Sequence, residues 1–399
     1  MPTPVRAANA AAVLRAVLLH GPVPRTRIAE ISGLSPATVT RLYPLLAERG
    51  LLRELDEPDA AQTVGRPRVP VDLDASACAV LGAHLGARRS RLGVLDLRGR
   101  LLGAAELEHE VPAPRALIDR VCERLGALAA RTAGPRRLLG LGVIGAGPVD
   151  AATGTLGGHP ALGGHCVDLR AEFGERIGLP VYVDEHTRAM AAAEALFGRA
   201  RRVRSLGYLY VGDVLGFAYS AEGDVHRGAH AAAGDVTHLP LGVPRCAPAD
   251  AEPCSCGARD CFLSLAGEGP TTARAMRLGV VPEPRIDLVL KASRAGDERA
   301  EQLLRERSRS VGAAVSVLAG ILDPELFVVA GAGLTEAAEF LPELRVATRT
   351  AVVPSAFGAR VNAVAAASLV IDRVFRDPLG AVSDVRGRRS APMNSPING

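Results

Sequence analysis

Tryptophan is absent from this 399-residue chain, aromatics make up only 3%, and a single lysine, Lys291, stands among 47 basic residues. With so few rings, the core has to be built from Val, Leu, Ile and Ala. No run of about 18 apolar residues is free of charge or proline, which argues against a membrane-spanning helix. No secretory pattern is read at the start either: residues 1–8 hold two prolines and lack a following apolar segment. Seven cysteines, three of them between residues 254 and 261, suggest a metal site and not an extracellular disulfide framework. The expected compartment is the cytoplasm. The length allows two or three domains. The Pro, Gly, Ser and Arg-rich stretch from about Asp377 to residue 399 is expected to be disordered.

What is present is clearest at residues 21–50. Ile28, Ala29 and Ile31 give a first short helix its packing face. Gly33, Leu34 and Ser35 make a turn. Ser35 is a good N-cap and Pro36 fits the first position of a second helix, where its missing N–H costs nothing. Val39, Leu42 and Leu46, with Leu45 alongside, form one apolar face, and Gly50 fits the stop. The pattern is that of a helix-turn-helix whose second helix enters a DNA major groove, or else of an ordinary helical hairpin in a core. Charge favours the first reading. Residues 1–53 carry seven Arg and two Glu, a surplus of five, while the whole chain carries only +4. Positive charge gathered in a small terminal domain is what a phosphate-binding surface requires.

On the helix face away from the apolar residues lie Ser35, Ala37, Thr38, Thr40 and Arg41, the expected DNA contacts. Arg41 suits a bidentate guanine contact. Pro44 falls inside the helix and is expected to kink it. Arg66 and Arg68, after the apolar run Leu51–Leu55, suit a wing reaching phosphates or a minor groove, or else a solvated linker.

Beyond Cys78, strand-like and helix-like segments alternate. Strands are expected at 79–85, 92–97, 138–145, 180–183, 206–211, 215–221 and 326–329, with helices at 115–131, 187–197 and 299–321. The order β-β-β-α-β, given twice, implies two related α/β lobes. Gly140, Gly142 and Gly145 match the letters of a dinucleotide fingerprint. They fall within an apolar strand that runs into a turn, and the fingerprint needs them opening a helix.

These features together resemble the ROK family of repressors and sugar kinases, over about residues 9–376. The most specific part is Gly234-Asp235-Val236-Thr237-His238 followed by Cys254, Cys256 and Cys261. The resemblance implies a winged helix-turn-helix followed by an actin-like, sugar-kinase-like body of two lobes. The implied domains are 1–60 for DNA binding, 61–77 as wing and linker, 78–197 with about 362–376 as the first lobe, and 198–361 as the second. It also implies one structural zinc on His238, Cys254, Cys256 and Cys261, a shell that is closed and so not catalytic. Cys246 lies in the gap before Cys254 as a competing ligand.

The kinase pattern fails at several positions. Where the family's kinases carry an Asp at the first hairpin stands His84, and Ala87-Arg88 replaces a Thr-bearing turn. The second phosphate loop reads Gly212-Asp213-Val214-Leu215-Gly216, with an acid that repels phosphate. The Asn-Asp pair that supplies the catalytic base becomes Glu185-His186. Asp235 is a shortened Glu, and Phe262-Leu263 follow the last cysteine where the family has Glu. The residues read as an altered effector site are Glu185, His186, Asp235 and His238. His186 either makes that site pH-sensitive or faces solvent at a helix start.

The leading expectation is a DNA-binding transcriptional regulator, a repressor acting on a double-stranded operator. Its inactive kinase-like body would serve homodimer or homotetramer formation and bind a sugar or other small-molecule effector. The alternatives are an ATP-dependent sugar kinase with an accessory terminal domain, and a regulator whose body is only a scaffold.

Overall fold

A computed structural model of the chain describes residues 4–55, 69–109, 113–241, 254–331, 333–335, 338–345 and 349–382. The chain divides into two compact units, Met1–His186 with Asn362–Gly399, and Thr187–Val361.

The first unit opens with helices α1 (Pro4–His20), α2 (Arg25–Ser32) and α3 (Pro36–Glu48), and a small antiparallel sheet of β1 (Val23–Pro24), β2 (Leu52–Glu54) and β3 (Pro70–Leu73) in the order β1-β3-β2. α3 starts as its sequence requires. Ser35 Oγ accepts from the Thr38 N–H at 3.2 Å, and Pro36 occupies the first turn. Gly50, just past the C-cap Arg49, takes a φ of 69°, which favours glycine. Val39, Leu42 and Leu46 are buried, as are Ile28 and Ala29 of α2, while Ile31 is only half-buried. α3 continues as one helix through Pro44, which is exposed, so the lost hydrogen bond falls towards solvent. Residues 56–68, between β2 and β3, lie outside the described residues, and Arg66 and Arg68 with them.

This part is bonded to the sheet that follows. Arg137 Nη2 donates to the Arg49 carbonyl at the C-terminus of α3 (2.7 Å), where a cation complements the helix dipole. Arg136 Nε donates to the Ala75 carbonyl at 2.9 Å, and Arg98 pairs with Asp72 of β3.

The first unit's main sheet has β4 (Cys78–Leu85), β5 (Arg89–Asp96), β6 (Leu101–Glu108), β7 (Arg137–Gly145) and β11 (Val181–Glu185) in the order β11-β7-β4-β5-β6. β4 runs parallel to β7 and β7 to β11, while β5 and β6 complete an antiparallel meander. The short β8 (Val149–Asp150), β9 (Thr155–Leu156) and β10 (Val167–Asp168) form a separate small sheet. On one face α4 (Pro114–Thr132) and α5 (Leu169–Ile177) bury Leu117, Ile118, Val121, Leu125 and Phe173 against β4, β5 and β7. On the other face α12 (Val361–Arg376) lies against glycines. A Cβ on Gly82 would come within 2.5 Å of the Ala367 nitrogen, and one on Gly142 within 1.8 Å of the Ala366 carbonyl oxygen. All three glycines of the apparent dinucleotide fingerprint lie within β7 and open no helix: Gly142 and Gly140 make room for α12, and Gly145 packs against Leu156.

The second unit repeats the plan. β12 (Ser205–Val211), β13 (Leu215–Ala221), β14 (Asp224–Val225), β15 (Leu326–Ala330) and β16 (Ala351–Pro354) are ordered β14-β13-β12-β15-β16, again a meander followed by two parallel strands. α7 (Phe262–Ala266), α8 (Glu268–Arg277), α9 (Ile286–Arg294), α10 (Glu298–Leu322) and α11 (Leu341–Arg345) complete it. Arg307 of α10 is 1% exposed and donates to the carbonyls of Ala266 (2.9 Å) and Val211 (3.1 Å).

Two boundaries differ from expectation. α6 (His186–Phe197) was assigned to the first lobe, but from Thr187 on it belongs with the second unit. The reason is its buried Glu194, which accepts from Ser355 Oγ (2.7 Å) and the Ala356 N–H (2.8 Å). The stretch expected to be disordered from Asp377 is ordered at its beginning, where Leu379, Ala381 and Val382 are buried. Residues 383–399 lie outside the described residues.

Candidate functional site

Three groups of residues carry chemistry. The first is the outer face of α3. Ser35, Ala37, Thr40 and Arg41 are exposed and Thr38 is half-buried. All three hydroxyls are already engaged: Ser35 Oγ lies 2.9 Å from Thr38 Oγ1, and Thr40 Oγ1 donates to the Pro36 carbonyl at 2.9 Å. Arg25 pairs with Glu54 and stacks 4.0 Å over the Tyr43 ring, and Arg27 pairs with Glu30 at 2.7 Å. Arg41 makes no ion pair among the described residues. The surplus charge read from the sequence is therefore partly neutralised beside the helix, and Arg41 is left free on its outer face.

The second group is in the second unit. One ligand atom each from His238, Cys254, Cys256 and Cys261 lie within 4.8 Å of one another. His238 Nδ1 is 3.5 Å from Cys254 Sγ and 3.9 Å from Cys261 Sγ. A tetrahedron with metal–sulfur bonds of about 2.3 Å has edges of about 3.8 Å, so these separations suit one ion. The loop is shaped by its backbone: the Cys254 N–H donates to Ala258 O and the Gly257 N–H to Cys254 O, both at 2.8 Å. Burial pushes the Cys261 thiol up, but hydrogen bonding with His238, Ser264 and Cys254 outweighs it and brings the thiol down to about 6. The residues present fit a thiophilic ion in a closed shell. Cys246 lies outside the described residues.

The third group lies at the C-terminal edge of the parallel strands in the first unit. His84 is on β4, and Glu185-His186 join β11 to α6. His186 is 3% exposed, which removes the solvent-facing reading, and its Nε2 lies 3.4 Å from Glu185 Oε1. The sequence reading missed His159, which is 2% exposed and caps the turn at 160–162 through its Nδ1. The His-Pro pair opening that turn was the available signal. The sequence reading also missed Arg188, which is 3% exposed and donates to the Ala231 carbonyl at 2.8 Å within the second unit. Of the four expected effector residues, Glu185 and His186 belong to the first unit, Asp235 and His238 to the second. Asp235 is exposed and accepts from the Thr237 N–H at 3.1 Å. In the 212–216 loop the Gly212 N–H is taken by the Val214 carbonyl at 3.1 Å.

With the twofold repeat of one α/β plan and the His-Cys group in place, comparison with known proteins gives a match to the ROK family model over residues 80–373. The chain belongs to the ROK family. A transcriptional regulator of Mycobacterium tuberculosis is 34% identical over 97% of this chain and 89% of its own length. An N-acetylglucosamine repressor of Escherichia coli is 26% identical over 84% of this chain and 83% of its own. Among solved structures, a ROK family transcriptional regulator that is a homologue of the Escherichia coli MLC protein superposes with a TM-score of 0.78. It is 23% identical, covering 95% of this chain and 99% of the other. That superposition covers more of the chain than the ROK family match does.

Proposed function

We infer that this ROK-family chain is a DNA-binding transcriptional regulator. The observation that carries the reading is α3: a fully capped helix with its apolar face buried and an unpaired Arg41 on its outer face, in a chain similar along nearly all its length to a transcriptional regulator. α1–α3 with β1 and β2 act as a winged helix-turn-helix within residues 1–60, and 61–77, which include β3, supply the wing and linker. Ser35, Ala37, Thr38, Thr40 and Arg41 face the major groove. Because the Thr38 and Thr40 hydroxyls are already bonded, Arg41 and the Ala37 methyl carry most of the base discrimination. Arg66 and Arg68 contact backbone or minor groove. A homodimer or homotetramer places two such helices on a near-palindromic operator, and the protein acts in the cytoplasm, as a repressor.

His238, Cys254, Cys256 and Cys261 hold a structural zinc that pins a loop otherwise short of apolar residues. The body does not phosphorylate sugars: His84, Arg88 and His186 stand where acids and a Thr-bearing turn are needed, and the Gly212 N–H is already bonded. Glu185, His186, Asp235 and His238 take part in binding a sugar or other small effector, a reading supported by the N-acetylglucosamine repressor among the relatives. Genome-wide recovery of bound DNA tests the proposal. Enrichment of a shared near-palindromic sequence is expected, together with no ATP-dependent phosphorylation of glucose, N-acetylglucosamine or N-acetylmannosamine. Sugar-dependent ATP turnover that disappears in His186→Ala would promote the kinase alternative.

A further inference from the structure

The C-terminus of α3 is held from a distant part of the first unit. The helix ends on Glu48 and has no basic residue in its last turn, where its dipole favours a cation. The C-cap Arg49 turns its own guanidinium back to the Leu45 carbonyl at 2.9 Å. The Arg49 carbonyl is taken by Arg137, 88 residues further on at the start of β7, whose Nη2 donates to it at 2.7 Å. The same nitrogen donates to Cys78 Sγ at 3.8 Å, and that buried sulfur lies 3.8 Å and 3.7 Å from the Arg49 and Gly50 carbonyls. Arg137 is half-buried and makes no ion pair among the described residues, so its charge faces the helix end and not a carboxylate.

The backbone closes the same joint. A Cβ on Gly50 would come within 2.8 Å of the Ala77 Cβ. The Asp74 N–H donates to the Leu51 carbonyl at 3.1 Å, and the Arg137 N–H to the Ala77 carbonyl at 2.9 Å. Residues 70–77, expected to serve as wing and linker, are therefore bonded to the end of α3 on one side and to the main sheet on the other, with Arg136 on Ala75 and Arg98 on Asp72 adding to the hold. We propose that Arg137 is a positioning residue for DNA recognition, fixing α3 to the first sheet so that the reading helix turns with that sheet and not on a tether. The proposal rests on the DNA-binding reading above.

The consequence is a second kind of selectivity. A helix on a flexible tether follows a displaced half-site, because the linker absorbs the change. A helix fixed to a sheet does not. Two base pairs inserted between half-sites turn one of them by about 70° around the DNA axis and move it by about 7 Å. Bases are read by the outer face of α3, while the spacing between half-sites is read through the joint at its C-terminus. Arg137 acts through α3 and not on the DNA, so its removal leaves the affinity for an isolated half-site unchanged.

The test compares the unaltered full-length protein with Arg137→Met, which keeps the stem without a donor, and Arg137→Lys, which keeps one donor for the carbonyl. Arg131→Ala, at an exposed position of α4, controls for loss of charge. Amide relaxation of the free proteins comes first. α3 and β7 should share one rotational correlation time in the unaltered protein, α3 should move separately in Arg137→Met, and Arg137→Lys should restore the shared time. Separate times in the unaltered protein, or a shared time in Arg137→Met, overturn the proposal. The recovered operator is then titrated with its natural spacing and with two base pairs inserted. The insertion should cost the unaltered protein, Arg131→Ala and Arg137→Lys at least about tenfold in affinity, and Arg137→Met less than about threefold. Equal penalties in Arg137→Met and the unaltered protein overturn the positioning role. A lowered half-site affinity or a lost melting transition in Arg137→Met assigns the residue to stability alone and overturns it as well. Failure of the unaltered protein to bind DNA refutes the regulator reading and leaves the relaxation measurement to judge the joint.

Discussion

At the residue scale, the side chains that matter are those whose surroundings leave them one role. Cys256 is exposed and its sulfur joins the group around His238, so Cys256→Ser should abolish binding of one zinc per chain, measured by metal analysis of purified protein. Full zinc occupancy in that variant would contradict the assignment. His159 makes a different prediction. Burial lowers its pKa from 6.5 to about 4, so the unfolded chain takes up a proton that the folded chain refuses. Stability contributed by neutral His159 is fully present above about pH 6.5 and is lost as pH falls towards 4, by about 1.4 kcal/mol per unit of depression. His159→Asn retains a capping acceptor without titrating in this range. Urea denaturation from neutral pH down to about 4.5 should show a shallower loss for the variant; identical slopes would place the titration elsewhere.

At the element scale, α3 was legible because every local signal except Pro44 agreed: Ser35 caps it, Pro36 starts it, Gly50 ends it, and Val39, Leu42 and Leu46 give it one apolar face. Ser35→Ala should cost about 0.5–2 kcal/mol, and Leu46→Ala, fully buried, about 2–5 kcal/mol, both read by thermal or urea unfolding. The two α/β repeats were legible for the same reason, since β-rich apolar runs and amphipathic helices have different periods. What escaped the sequence depends on partners distant along the chain. α6 follows β11 directly, yet Glu194 commits it to Ser355 and Ala356. The last turn, with Leu379, Ala381 and Val382, looked like a polar tail because composition averages over the charged residues beyond it. A chain ending after Val382 should keep the melting temperature of the full protein, whereas one ending after Arg376 should melt lower. Equal melting of the two would show that this turn adds nothing.

At the scale of the whole molecule, within the first unit, the helix proposed to read DNA and the histidine that replaces the kinases' acid sit at opposite ends of neighbouring parallel strands. β7 begins at Arg137, which bonds the C-terminus of α3, and β4 ends beside His84. The sequence showed each end separately, as a capped helix and as a histidine in place of an acid. It did not show that two strands join them, because that follows from topology. It also read His84 and His186 singly and overlooked His159, since three histidines spread over about a hundred residues have no spacing that marks them for burial. The central claim remains that α3 reads DNA through its outer face. The most direct measurement is an equilibrium titration of the recovered operator with the unaltered protein, Arg41→Ala and Ala37→Glu, at two salt concentrations. Arg41→Ala should cost about 1–3 kcal/mol and relax sequence choice. Ala37→Glu, which places an acid at an exposed position proposed to face the anionic DNA groove, should weaken binding by more than about tenfold without lowering the melting temperature. Unchanged affinity in both variants would contradict the account.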